Sequence, residues 1–280
     1  MALVSPRFAA NTRLQQAARN SPTMRRRERG PAVHLVQFAL LELGYRMPGS
    51  TAKEQASPDG IFGPETEGVV RQFQQARKRL DPRIGVDGIV GRQTMGELDR
   101  LLPGYVNRVR LHFRSIAMQN VPFANSLASA QQVYDQYGIK IEFGSGEFLL
   151  LTPAQQAVFQ RIDQQCNWTI TSGEYQQLHR LGTPAPMTEI LVYYVHRLQG
   201  VGGCGGHAPS QPAATVAANT TKWATAHEVG HVLLTRHFTP VHFTDSGNLM
   251  WGQVLHFSGT PLLTDKQVAR IRLSPCCATI

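Results

Sequence analysis

No cysteine stands before Cys166 in this chain of 280 residues, and no glutamate follows Glu228. No apolar run is long enough to cross a bilayer, so membrane insertion is not expected. Residues 1–30 lack the apolar core of a secretory signal. Their arginines, in Met24-Arg25-Arg26-Arg27-Glu28-Arg29-Gly30, are not followed by the apolar stretch that a twin-arginine signal needs. A bacterial protein exported without such a peptide is expected, to the periplasm, the medium or a target cell. Cytoplasmic residence is the alternative.

Acidic residues are scarce as well: 19 against 28 Lys and Arg, for a formal charge of +9 and a pI of about 9.8. That balance favours an anionic partner, and wall polymers, nucleic acid and anionic lipid all qualify. The arginine cluster reads more readily as a solvated segment than as a nucleic-acid arm. Residues 1–30 are therefore read as a basic N-terminal arm, and no nucleic-acid partner is expected. The four cysteines, Cys166, Cys204, Cys276 and Cys277, lack C-x-x-C spacing for zinc. They suit one or two disulfides, with Cys276 or Cys277 tying the tail to Cys204 or Cys166. Free thiols in a reducing cytosol are the alternative.

What the chain does carry is Thr225-Ala226-His227-Glu228-Val229-Gly230-His231-Val232-Leu233-Leu234-Thr235-Arg236-His237. On a helix, His227 and His231 lie one turn apart on one face, so both imidazoles reach one metal ion. Zinc with three protein ligands keeps a fourth position for water and lowers its pKa to about 7. Glu228 beside the ligands can take that proton and pass it to a leaving amine. A thermolysin-like arrangement needs a downstream glutamate as third ligand, and none exists. The remaining candidate is His237, with His242 and Asp245 in reserve. At about 100° per residue a continuing helix would turn His237 away from His231, so the helix must end near Leu234 or Thr235. Pro240 is consistent with that stop.

These residues resemble the metzincin metallopeptidases, whose signature is H-E-x-x-H-x-x-G-x-x-H followed by a methionine turn. The resemblance implies zinc held by His227, His231 and His237, Glu228 as general base, and Met250 as the apolar floor beneath the metal. One position departs from the pattern: Leu234 stands where the family has glycine. A left-handed leucine there would cost about 1–2 kcal/mol.

Residues 31–102 contain an internal repeat. Asp59-Gly60-Ile61-Phe62-Gly63-Pro64-Glu65-Thr66 recurs as Asp87-Gly88-Ile89-Val90-Gly91-Arg92-Gln93-Thr94. Each copy reads as a D-G turn, an inward apolar pair and a helix start, with Thr94 and Glu97 as a capping box. Three helices are expected: Val33 to Leu43 ending at Gly44, a second through Val69, Val70, Phe73 and Ala76, and a third through Met95, Leu98, Leu101 and Leu102. Gln37, Leu40, Leu43, Gly44, Tyr45, Phe73 and Gln74 fall on a pattern similar to the peptidoglycan-binding domain of bacterial wall hydrolases, with an extended loop at Arg46–Ser57. The resemblance implies a wall-targeting module. Matrix metalloproteinases use a related bundle as a prodomain, but its switch cysteine has no counterpart before Cys166.

Leu101-Leu102-Pro103-Gly104 marks the expected boundary. Beyond it, strands are expected at Arg108–Ile116, Ile139–Phe143 and Glu189–Val195, with a helix at Phe123–Tyr137. A glycine-rich loop at Gly200–Gly206, the Ala213–Ala218 segment, the zinc helix and a closing helix at Leu263–Arg272 follow. His207 and His256 read as loop or core residues. In metzincins an edge strand pairs with extended substrate, and Ala213–Ala218 or the strand before it is the candidate. The expected fold class is α+β, with an arm (1–30), a three-helix peptidoglycan-binding-like domain (31–103) and a metzincin-like zincin domain (104–280) with a mixed sheet. The expected function is zinc-dependent hydrolysis of peptide bonds, with polypeptide substrate and peptidoglycan as partners, suiting an exported toxin or effector. The alternatives are a peptidoglycan endopeptidase and a non-enzymatic wall-binding protein with a structural zinc site.

Overall fold

The computed structural model describes residues 1–52, 56–163, 166–208, 211–253, 257 and 259–280. The chain is mixed α+β and divides into two compact units. One comprises Met1–Tyr105 with Gln136–Gly138 and Thr264–Lys266. The other comprises Val106–Asp135, Ile139–Leu263 and Gln267–Ile280. Among the described residues no helix is long and apolar enough to cross a membrane.

The first unit is helical: α1 (Pro6–Ala9), α2 (Thr12–Ala18), α3 (Pro31–Glu42), α4 (Pro64–Lys78) and α5 (Arg92–Leu101). The last three are the helices that apolar spacing predicts. Their core includes Leu40, Phe62, Val70, Phe73, Met95 and Leu98, all buried. Each such side chain contributes about 1.5–3 kcal/mol by leaving water. The repeat is organised around two buried glutamines. Gln37 on α3 donates from Nε2 to Asp59 Oδ1 (2.8 Å) and Thr66 Oγ1 (3.0 Å), and its Oε1 accepts from Gly60 N–H (2.9 Å). Gln74 on α4 does the same for the second copy: Asp87 Oδ1 at 2.8 Å, Thr94 Oγ1 at 3.0 Å, Gly88 N at 2.8 Å. Gly60 and Gly88 hold φ of +67° and +73°, a region where a side chain is strained. The expected capping box does not form. Gly91 precedes α5 with no side-chain cap, and Thr94 is drawn inward to Gln74.

The expected solvated arm is part of this unit. Leu3, Phe8, Leu14, Ala17, Ala18 and Met24 are buried, and Asp99 accepts from Ser5 N–H at 2.8 Å. Met24 pairs antiparallel with Val90, and Arg29 with Ile61, so residues 24–29 lie along the apolar pairs of both repeats. Glu28 takes an ion pair from Arg13. Arg25, Arg26, Arg27 and Arg29 remain exposed, which is why composition alone reads as an arm. Of the extended loop at 46–57, residues 53–55 lie outside the described residues.

The second unit is built on a mixed sheet of β1 (Asn107–Ser115), β2 (Ile139–Phe148), β3 (Ile190–Val195), β4 (Gly203–Ala208), β5 (Gln211–Ala217) and β6 (Ala278–Thr279). The order is β2-β1-β3-β5-β4, with β6 paired to β1. β1, β2, β3 and β5 run parallel, while β4 is antiparallel to β5 and β6 to β1. β3 is buried throughout, as expected of a continuous apolar run in a parallel sheet covered on both faces. One face carries α6 (Phe123–Asp135) and α9 (Ala224–Leu234). The other packs Leu191, Tyr193 and Val195 against Phe159 of α7 (Pro153–Phe159) and Leu178 of α8 (Gly173–Leu178). α10 (Asp265–Arg272) closes the unit.

Several expectations change here. The glycine-rich stretch at 200–206 is not wholly loop: Gly203–Gly206 lie on β4. β4, read from sequence as loop, ends the sheet, and both β5 and β3, the expected strand at 189–195, lie inside it. The disulfide is Cys166–Cys204, while Cys276 and Cys277 are free and buried, so the tail is not tied to either partner. His256 and the side chain of His207 lie outside the described residues.

Candidate metal centre

All 11 residues of α9 are buried, so tertiary contacts on every side fix this helix. Tyr134 Oη on α6 donates to the Ala226 carbonyl at 2.9 Å, and Tyr194 Oη on β3 lies 3.0 Å from Thr225 Oγ1. These place the first turn. β4 lies against the second turn because Gly203 and Gly205, which face it, have no side chains to keep it off. A Cβ at Gly203 would fall on Glu228 Oε1, and one at Gly205 on the Glu228 carbonyl and His231 Cβ.

The helix stops at Leu234, and Thr235 takes φ +63°, ψ 172°. Leu234 keeps its helical place, so the left-handed turn falls one residue later than the metzincin pattern implies. The turn sends His237 into solvent, beside Arg236. His237 is therefore not brought to the other two histidines. The chain returns with His242, whose Nε2 lies 3.1 Å from His231 Nε2, itself 3.0 Å from His227 Nε2. The ligand atoms of His227, His231 and His242 all lie within 4.8 Å of one another. Asp245 stays outside, accepting from Gly247 N–H.

The donor set fits a zinc ion. Two nitrogens on a tetrahedral zinc stand about 3.3–3.4 Å apart, given Zn–N bonds near 2.0–2.1 Å. His227 Nδ1 donates to the Leu249 carbonyl at 2.7 Å, which leaves its Nε2 with a lone pair facing the cluster. Burial holds His227 down to about 4, with neighbouring His242 adding to the effect, and holds His231 well below its ordinary range. Burial also lowers His242. Three neutral imidazoles that turn Nε2 toward one another present, in the Nδ1–H tautomer, lone pairs that a cation satisfies.

Met250, fully buried, directs its Sδ at α9: a Cβ at Gly230 would lie 2.7 Å from it. Glu228 is buried, and desolvation pushes its carboxyl up to about 8 despite a hydrogen bond from Gly205 N–H. The histidines and Glu228 open on a cleft of about 880 Å³, walled by Trp168, Leu198, Val201, Gly203 and the Cys166–Cys204 bridge. The Trp168 ring stands 5.8 Å from that of His231. Sequence reasoning kept His242 only in reserve and missed Trp168 and the glycines of β4. The G-x-G-G run was the one visible signal, since such a strand admits close backbone approach.

Residues 29–98 match the family model of the peptidoglycan-binding domain. No curated protein matches the chain. Among solved structures, an archaemetzincin from Methanopyrus kandleri is similar at 13% identity and a TM-score of 0.30, over 60% of this chain and 88% of that one.

Proposed function

We propose that the chain is a zinc-dependent peptidase brought to bacterial cell wall by its peptidoglycan-binding domain. The observation that carries this reading is the convergence of His227, His231 and His242 Nε2 beside buried Glu228, in an open cleft. Zinc, when bound, supplies Lewis acidity to a water and to the scissile carbonyl. The three imidazoles would hold it, with His227 locked in tautomer by Leu249. Glu228 takes a proton from the attacking water and delivers it to the leaving amine. β4 ends the sheet beside Glu228, so an extended peptide can add along its outer edge through main-chain hydrogen bonds. A polypeptide is the preferred substrate for that reason, in keeping with an exported effector that acts at a bacterial surface.

A second reading is favoured by the match over residues 29–98: the scissile amide lies in the peptide stems of the wall itself. Purified protein with zinc is assayed on casein and on dye-labelled sacculi, alongside Glu228→Ala. Casein cleavage lost in the variant supports the first reading, and dye release lost in the variant supports the second. A zinc-loaded protein inert on both substrates refutes enzymatic function and leaves a wall-binding protein with a structural site.

A further inference from the structure

The loop that brings His242 to the metal centre runs from Thr235 to Asn248, and both its ends are gripped by one helix. At the start, Arg270 on α10 donates from Nε to the Leu234 carbonyl (3.1 Å) and from Nη2 to Thr235 Oγ1 (2.7 Å). The carbonyl is one of those a helix leaves unpaired at its C-terminus. Thr235 sits at φ +63°, ψ 172°, a conformation close to glycine-only, which needs surrounding contacts to persist. At the other end, buried Gln267 makes a reciprocal pair with Asn248: Asn248 Nδ2 to Gln267 Oε1 at 2.8 Å, and Gln267 Nε2 to Asn248 Oδ1 at 3.0 Å. Asn248 Oδ1 also accepts from Met250 N–H at 2.9 Å. Gln267 and Arg270 are three apart on a helix, so they share a face.

We infer that Gln267 and Arg270 form a two-point clamp that positions His242 as third metal ligand. Neither residue reaches the cluster. They fix where the loop leaves α9 and where it arrives, and thereby where its histidine can point. Gln267 has a further reach, because Asn248 orders the turn whose Leu249 carbonyl holds His227. Metal-site partners beyond the ligands themselves act in this way, and their loss costs about 10–100-fold in metal affinity.

This inference rests on the zinc reading above. It is tested by chelator competition for zinc with the full chain, in wild type, His242→Ala, Arg270→Ala and Arg270→Ala/His242→Ala, with thermal unfolding of each zinc-free protein in parallel. Arg270→Ala is expected to weaken zinc by about 10–100-fold. In the His242→Ala background the same substitution is expected to change affinity no more than about twofold, since its effect passes through an imidazole no longer present. An equal loss in both backgrounds, or no loss in either, overturns the clamp. Should Arg270→Ala fail to fold, Arg270→Lys, which keeps one donor, is judged by the same comparison. Wild type that binds no zinc, or His242→Ala with wild-type affinity, refutes the metal reading and takes the clamp with it. When both controls pass, the Arg270 comparison judges the clamp alone.

Discussion

His242 Nε2 lies 3.1 Å from His231 Nε2 across a separation of 11 residues, while His237, nearer in sequence, is turned to solvent. The two histidines are therefore expected to behave differently. His242→Ala should weaken zinc by more than the about 10–100-fold that an outer partner costs. His237→Ala should leave it within about twofold, as for an uncoupled site. Zinc competition against a chromogenic chelator separates them, and the reverse order would return His237 to the metal.

Gly203 and Gly205 touch the same helix at different depths. An alanine Cβ at Gly203 meets the Glu228 side chain first, whereas one at Gly205 meets helix backbone. Gly203→Ala is expected to keep the fold and the metal while turnover falls by about 10²–10⁴-fold, the worth of a positioned general base. Gly205→Ala is expected to destabilise the second unit by about 1–3 kcal/mol, as overpacking does. Metal stoichiometry, turnover and urea unfolding on both variants check this; equal stability of the two would refute it.

Gln37 and Gln74 each tie the turn of one repeat to the start of its helix. Gln74→Ala leaves the Gly88 N–H without its acceptor and the Thr94 oxygen without its donor, while the Thr94 hydroxyl still donates to the Ile89 carbonyl, and an unsatisfied buried group costs about 1–3 kcal/mol. A loss of that size in the first unit is expected for either glutamine, read by denaturant unfolding. Peptidoglycan pull-down by the fraction still folded should be unchanged. Loss of binding in folded protein would instead place the glutamine in the binding surface.

His179, buried between Tyr175 and Tyr193, gives the second unit a pH dependence. Burial holds its imidazole down to about 3, against 6.5 for the free group. The unfolded chain therefore binds an extra proton at pH between these values. The stabilisation is complete above pH 6.5 and is lost as pH falls toward 3, by about 1.4 kcal/mol per pH unit once the unfolded histidine is charged. His179→Phe is expected to reduce the slope between pH 6 and about 4 by that amount, leaving the share of buried His227, His231 and His242. An unchanged slope would show that His179 is charged or solvated in the native protein.

Much of this architecture is legible in the amino-acid sequence. Helices with strong apolar periodicity, such as α4 and α5, and the continuous apolar run of β3 carry their own structural signal. α7 also had one, a Thr152–Gln155 capping box with Pro153 behind it, hidden in a stretch of low periodicity. The third histidine was not readable in this way. His237 and His242 have equal chemistry, and the choice between them is made by the Thr235 turn and by Arg270, whose contact with Leu234 spans 36 residues. Local pattern cannot encode a contact made at that distance. The same holds for Cys166–Cys204, whose pairing follows from β4 joining the sheet, itself masked by three glycines of low strand preference.

The antiparallel contact between Met24 and Val90 has a practical consequence. Recognisable kinship begins at residue 29, yet the second repeat is stitched on its apolar side by a residue upstream of that point. The limits of homology and the limits of cooperative folding are different lines along this chain. A fragment trimmed to residues 29–98 would leave Val90 and Phe62 without their backbone partners at Met24 and Glu28, so wall affinity measured on such a fragment would describe a frayed object rather than the native module.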